Sequence, residues 1–381
     1  MPAPVPLGLY IHIPWCVRKC PYCDFNSHEL RAAVDQGAYI DALLQDLDNE
    51  LTQGPLPPLQ SIFIGGGTPS LFGGASIARL LEGVAQRTGL APDVEVTLEA
   101  NPGTAEAARF ADYRAAGVNR LSIGVQSLAD VRLRALGRIH SAAEARSAYR
   151  MARAAGFDNI NLDLMYGLPG QTQTAALDDL DKLIARRPEH ISWYQLTLEP
   201  NTLFHHRPPR LPDEDVLVDM MEAGLGALAG AGYERYEISA YARDGRRCRH
   251  NLNYWHFGDY LGIGAGAHGK SSGPGRRIRR RGKQRRPAAY MASAATGAVA
   301  SERLLAPGEL AVEFFLNAMR LTDGVPVEQF EARTGLALPV IAQPLARARE
   351  LGLMLDDPRR LQPSPLGLRF LNDLLALFAP D

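Results

Sequence analysis

Six short β-rich runs, each separated from the next by a segment long enough for a helix, restrict this chain to a handful of folds. They are Leu7 to Pro14, SIFIGGGTPS (61–70), VEVTLEAN (94–101), RLSIGVQS (120–127), NINLDLMYG (159–167) and HISWYQLT (190–197). Between the first two, Ile40, Leu43, Leu44, Leu47 and Leu51 recur at helical spacing, and Ile77, Leu80, Leu81 and Val84 do so before the third. AEARSAYRMARAAG (143–156) is long enough for another helix. Gly117 and Gly156 stand just before the next strand, where a helix C-terminal glycine belongs. This alternation predicts an α/β fold of parallel βαβ units with right-handed crossovers. It leaves open whether the sheet curls into a partial barrel or stays doubly wound.

At 381 residues the chain exceeds what one hydrophobic core supports, so a second, smaller unit is expected. The β-rich pattern stops after Thr197. There follow Pro200, Pro208, Pro209 and Pro212, a helical stretch near Asp215 to Ala229, a glycine-rich GIGAGAHG (262–269) and an arginine run GRRIRRRGKQRRP (275–287). From about Ala300, EFFLNAMRL, VEQFEARTG, VIAQPLARARELGLM and GLRFLNDLLALF read as helices joined by short turns. The expected division is a strand–helix domain over 1–235, a connecting segment over 236–300 and a small helical, winged-helix-like domain over 301–381.

The formal charge of −1 argues against a general nucleic-acid or membrane-surface binder. Ala306 to Asp381 carries ten acidic and seven basic residues, so its shape does not imply DNA binding. The N-terminal MPAPVPLGLYIHIP lacks the basic head and long apolar run of a signal peptide, and no stretch nears the ~20 apolar residues of a membrane span. Three of the four cysteines are crowded together, which fits a metal or redox site in a reducing compartment rather than a disulfide framework. The expected location is the cytoplasm.

Those three, Cys16, Cys20 and Cys23, form C-x3-C-x2-C on a loop that follows the first strand. Three thiolates can hold three irons of a [4Fe–4S] cluster and leave the fourth iron open. Structural zinc normally takes a fourth protein ligand, which Cys248 or a histidine could provide, so both metals stay open on spacing alone. Gly65, Gly66, Gly67, Thr68 and Pro69 end the second strand; such a run either makes a tight turn or lets backbone approach a ligand. Ligands in parallel α/β folds bind at the C-terminal ends of strands, and Glu99, Gln126, Asp163 and, slightly further on, Arg138 share that address. Each alone would be a cap or loop residue; their recurrence predicts one shared pocket.

The cysteine triad, GGGTP, EANP, GVQS, the LGRIH around Arg138 and the DLMYGLPGQT segment together resemble radical S-adenosylmethionine proteins. More narrowly, the chain is similar to the branch holding oxygen-independent coproporphyrinogen III oxidase and the haem chaperones of the HemW type. The resemblance runs almost end to end and implies a partial (βα)6, TIM-like barrel. It implies that Cys16, Cys20 and Cys23 ligate a [4Fe–4S] cluster. It also implies that Tyr10, Gly66, Gly67, Thr68, Glu99, Gln126, Arg138 and Asp163 hold S-adenosylmethionine, with Tyr22 near the adenine. In that family the reduced cluster cleaves S-adenosylmethionine to a 5′-deoxyadenosyl radical.

Three features separate the two relatives. The oxidase resembles C-x3-C-x2-C-x-C, but here the last place is Phe25. It also has a long extension before its first strand, whereas nine residues precede Tyr10 here. HNLNYW (250–255) matches the HNxxYW motif of the chaperones. The resemblance therefore implies a protein that binds haem and passes it to apo-proteins, with coproporphyrinogen decarboxylation as the alternative. Histidine is a common haem ligand, which makes His250 the candidate; packing of His250 and Trp255 at a domain junction is the competing role, and Cys248 is a second possible ligand. No C-x-x-C-H attachment site is present. The arginine run reads as solvated surface, with porphyrin propionates or nucleic acid as the alternative partners. GIGAGAHG lacks the setting of a dinucleotide loop, and His268 is placed near the pocket by resemblance only.

Overall fold

A computed structural model describes residues 5–52, 54, 56–103 and 107–379. Met1 to Pro4, part of the stretch read for a signal peptide, lie outside them. The six expected strands are β1 (Leu7–Ile13), β2 (Leu59–Gly66), β3 (Leu90–Ala100), β4 (Arg120–Gln126), β5 (Ile160–Tyr166) and β6 (His190–Gln195). They pair in parallel, each with the next in sequence. Helices α1 (Gln36–Leu51), α2 (Gly74–Arg87), α3 (Ala142–Ala154), α4 (Gln173–Ile184) and α5 (Glu214–Gly230) accompany them. Their starts are chemically marked. Asp35 accepts the Ala38 N–H ahead of α1, Ser141 and Glu144 form a capping box ahead of α3, and Thr172 caps α4.

The strands have two different faces. Leu9, Ile11, Val96, Leu98, Leu121, Ile123, Leu162 and Leu164 pack outward against Leu43, Leu47, Leu80, Val84, Ala148 and Leu180 of the helices. Each such buried Leu, Ile or Val side chain contributes roughly 1.5–3 kcal/mol through burial. The intervening residues, among them Tyr10, His12, Ser61, Glu99, Ser122 and Asp163, point the other way because side chains alternate along a strand. This inner face is polar and touches itself: the Tyr194 hydroxyl of β6 donates to Gln126 Oε1 of β4 at 2.8 Å. The sheet must curl to bring such residues together, so it forms a partial barrel.

The segment 236–300, expected as a connector, is part of this sheet. After β7 (Glu234–Glu237), β8 (Ala240–Ala242) runs antiparallel beside β6. A helix α6 (Arg249–Trp255) crosses to the opposite edge, where β9 (Asp259–Ile263) lies parallel to β1. Then β10 (His268–Ser272), β11 (Ile278–Lys283) and β12 (Val299–Leu304) extend that edge antiparallel. The twelve-stranded order is β12-β11-β10-β9-β1-β2-β3-β4-β5-β6-β8-β7.

The arginine run is not a solvated loop throughout. Its middle, Ile278–Lys283, is β11, and four of its cations, Arg279 included through Glu302, have partners brought from elsewhere in the chain. Lys283 is buried between Asp46 and Glu50 of α1, Arg281 reaches Glu50 and Glu302, and Arg280 pairs with Glu313. The C-terminal region is helical around its own core of Phe314, Phe315, Phe330, Leu361 and Phe378, with a small two-stranded wing, Val325–Pro326 against Arg360–Leu361. Phe257 packs into that core, edge-on to Phe314 at 5.6 Å. No helix among the described residues is long and apolar enough to cross a membrane.

Candidate cofactor site at the barrel mouth

The cysteine loop leaves β1 and returns at once: Trp15–Cys16 pairs with His28–Glu29 and closes the loop over the strand ends. Two further ties fix it. His12 Nε2 lies 2.9 Å from the Asn26 carbonyl, and the Asn26 amide donates to the carbonyls of Ala265 (2.9 Å) and Arg285 (2.8 Å). Cys16, Cys20 and Cys23 all line one cavity of about 330 Å³. Thr68 Oγ1 donates to Cys16 Sγ at 3.4 Å, Arg138 approaches Cys20 Sγ at 3.7 Å, and Ser27 Oγ lies 3.8 Å from Cys23 Sγ. Burial raises the Cys16 and Cys23 thiols above their ordinary range, so both hold their protons in the free chain.

Gly66, Gly67, Thr68, Glu99, Gln126, Arg138, Asp163 and Tyr22 line the same cavity. Glycine is required at two of these places. Gly66 has φ +114°, and a Cβ there would come within 2.5 Å of the His12 ring; at Gly67 it would meet the Trp15 carbonyl at 2.6 Å. Glu99 is half-buried and accepts the Gly66 N–H at 3.0 Å. Burial, with the Asp163 charge second, pushes its carboxyl up to about 8. Asp163 is also raised by burial, against hydrogen bonds from Asn161, Ser192 and Ser122. Arg138 is anchored by Asn101 Oδ1 (2.7 Å) and the Gly124 carbonyl (2.9 Å). Gln126 sits at φ +64°, an uncommon conformation for a non-glycine residue, which turns the strand end into the cavity. Tyr22 packs beside Phe204 at 6.4 Å, and burial raises its hydroxyl.

Tyr10, His250 and His268 do not line this cavity. Tyr10 stands beneath it, its hydroxyl 2.9 Å from His12 Nδ1. His268 is an exposed residue of β10. His250 lies at the opposite, closed end, 1% exposed, and both ring nitrogens are engaged: Nδ1 with Ser61 Oγ at 2.9 Å and Nε2 with the Tyr254 hydroxyl at 2.8 Å. Burial, then the Arg120 charge, lowers it to about 3, so the ring is neutral. Its neighbours complete a structural assembly. Glu95 Oε1 accepts the N–H groups of Arg249 (2.9 Å) and His250 (3.3 Å), Asn253 donates to the Asp259 carbonyl (2.7 Å), and Arg320 of the helical region stacks on Trp255. In this conformation HNLNYW joins sheet, α6 and C-terminal region.

Sequence reasoning missed Asn101, Tyr194, Ser122 and Ser192 in the cavity wall, and His12 and Asn26 behind it. Asn101 had a signal, since it follows Glu99 in EANP. The others carry none, because their role depends on partners from distant strands.

The donor set can be tested against the metals left open above. Among the described residues, no three His, Cys, Asp or Glu side chains converge on a single-ion site. Cys248 cannot complete the triad: it is fully buried, 3.6 Å from Glu95, four residues or about 13 Å down β3 from Glu99. A [4Fe–4S] cluster asks for a different arrangement, with each thiolate on its own iron. Three free thiols facing a polar cavity fit that group, and the glycine backbone, Glu99 and Arg138 offer donors and acceptors for a zwitterionic ligand beside it.

The Radical SAM superfamily model matches residues 10–183 and the HemN C-terminal domain model residues 305–370. The chain is 51% identical over 376 residues to the haem chaperone HemW of Escherichia coli K12, covering 99% of both chains. It is 49% identical over 386 residues to HemW of Haemophilus influenzae, covering all of both. The solved coproporphyrinogen III oxidase (HemN) of Escherichia coli shares the fold, with a TM-score of 0.82 at 22% identity over 98% of this chain and 90% of that one. The chain belongs to the HemW family of radical SAM proteins.

Proposed function

We propose that this protein is a cytoplasmic haem carrier that holds a [4Fe–4S] cluster and S-adenosylmethionine at the barrel mouth and delivers haem to apo-proteins. The observation that carries the cofactor half is the single cavity shared by Cys16, Cys20, Cys23, Glu99 and Arg138. Cys16, Cys20 and Cys23 would hold three irons. When bound and reduced, the cluster supplies the electron for S-adenosylmethionine cleavage. The chain's own groups would orient the ligand. Gly66, Gly67 and Thr68 present backbone to it, Gln126 and Asp163 bound it, Tyr22 takes the adenine side, and Tyr10 steadies His12 behind the loop. Arg138, tied to Asn101, suits a carboxylate, and Glu99 suits a positive charge, which would draw its proton off.

The haem half rests on the names of the relatives and on HNLNYW. Ligation by His250 would require one of its two present hydrogen bonds, at the ligating nitrogen, to break. Phe25, standing where the oxidase carries a cysteine, speaks against porphyrinogen decarboxylation. Four free cysteines accord with a reducing compartment. The test is the full chain, reconstituted anaerobically and assayed separately for iron and sulfide, haemin binding, haemin transfer to an apo-protein, and coproporphyrinogen decarboxylation. Binding and transfer without decarboxylation is the expected result. Robust decarboxylation, or zinc in place of iron, would overturn the proposal.

A further inference from the structure

The cavity rim carries three large apolar side chains in solvent: Val17 (48% exposed), Phe25 (60%) and Ile139 (54%). Single exposed apolar residues need no explanation, but a set gathered on the lip of a concave polar site does. The Phe25 ring is presented on a fixed backbone. Its carbonyl accepts from Lys19 Nζ (3.1 Å) and the Ser27 N–H (2.7 Å), and the next residue is the doubly tied Asn26.

One cation lies on the same lip, and a second belongs to the backbone that clamps the loop. Arg18 lines the cavity, whereas Asp24 and Glu29 of the same loop do not. Arg285 adjoins the loop through its carbonyl, which accepts from Asn26 and lies 3.2 Å from His28 Nε2. Both arginines are exposed, and neither has an ion-pair partner among the described residues. Arg280, Arg281 and Lys283, in the same run, are all paired.

An apolar lip with an unpaired cation on it and another in the adjoining segment complements a flat, apolar molecule bearing peripheral carboxylates. The cavity below, at about 330 Å³ and with Glu99, Arg138 and Asp163 in its wall, is small for such a body. We infer that haem rests across the barrel mouth, its ring against Val17, Phe25 and Ile139 and its propionates toward Arg18 and Arg285. This assignment rests on the haem-carrier reading above and moves the haem site away from His250. Haem placed there covers the cofactor cavity, so its binding and S-adenosylmethionine exchange are coupled.

The test is haemin titration of the full, cluster-loaded chain, read by Soret absorbance. The paired variant Phe25→Ser with Ile139→Ser removes only exposed side chains, and an unchanged cluster absorbance checks its fold. It should weaken haemin binding at least about tenfold, and Arg18→Glu about fivefold with a shallower salt dependence. In the unaltered protein, bound haemin should slow release of labelled S-adenosylmethionine. Unchanged haemin affinity in the paired variant overturns the inference. So does a variant that binds haemin normally but no longer passes it on, which would assign the lip to the acceptor protein. Failure of the unaltered chain to bind haemin would instead overturn the carrier function itself.

Discussion

The barrel has two polar ends, and they are built from similar residues to opposite purpose. At the closed end Glu95, His190, Tyr236, Cys248 and His250 are buried and bonded to one another or to nearby backbone. At the mouth, thiols, Glu99, Arg138 and the glycine backbone surround open space. A buried polar group must find a partner. Those five closed-end residues have protein partners; the groups at the mouth line a cavity that a ligand could fill. A histidine or cysteine inside a barrel therefore says little about function until its end of the barrel is known.

The largest effect that can probe this contrast lies at the mouth. Cys20→Ala should abolish the iron–sulfur absorbance of the reconstituted chain while costing the fold less than about 1 kcal/mol, since Cys20 is only partly buried. A cluster that still assembles would remove Cys20 from the donor set. At the closed end the balance reverses. His250→Ala strands Ser61 and Tyr254 and opens a void, so denaturant unfolding should show a loss of about 2–4 kcal/mol with cluster assembly intact. Full stability together with lost haem binding would mean that the closed end opens to haem after all.

A smaller effect concerns Glu99. Its folded pKa of about 8 lies above the ordinary 4.5. Folding thus favours the protonated form, and the stability it contributes is complete below about 4.5 and lost as pH rises through about 8. A cationic ligand reverses this preference. S-adenosylmethionine affinity should climb toward pH 8, and Glu99→Gln should weaken it about tenfold at pH 8 and flatten its pH profile, measured by equilibrium dialysis. Smallest of all, Phe25→Cys restores the oxidase's residue at an exposed site and should change stability by less than about 0.5 kcal/mol without conferring decarboxylation. Gain of that activity would show that one residue separates the two branches.

The six parallel strands were legible because each is a run of β-formers, bounded by turns, with an apolar outer face. The seventh parallel strand, DYLGI in β9, was not: it is short, holds a glycine and follows no long helix. The arginine run hid β11 because Asp46, Glu50 and Glu313, which neutralise its cations, lie far off in sequence. In the site, Glu99, Gln126, Asp163 and Arg138 could be found because strand ends are a fixed address in this architecture. His250 could not be placed from its motif, since a sequence does not say whether Ser61 and Tyr254 already occupy its two nitrogens.

The Asn26 clamp sets a schedule for synthesis. Asn26 is held by the carbonyl of Arg285, 259 residues later in the chain. At roughly 5–20 residues per second, a ribosome needs on the order of 10–50 s to make that stretch. Through that interval the cysteine loop is already outside the ribosome without the clamp that holds its shape. The cysteine loop is thus among the last parts of the fold to be finished, and a cluster that needs its final shape would be loaded after translation.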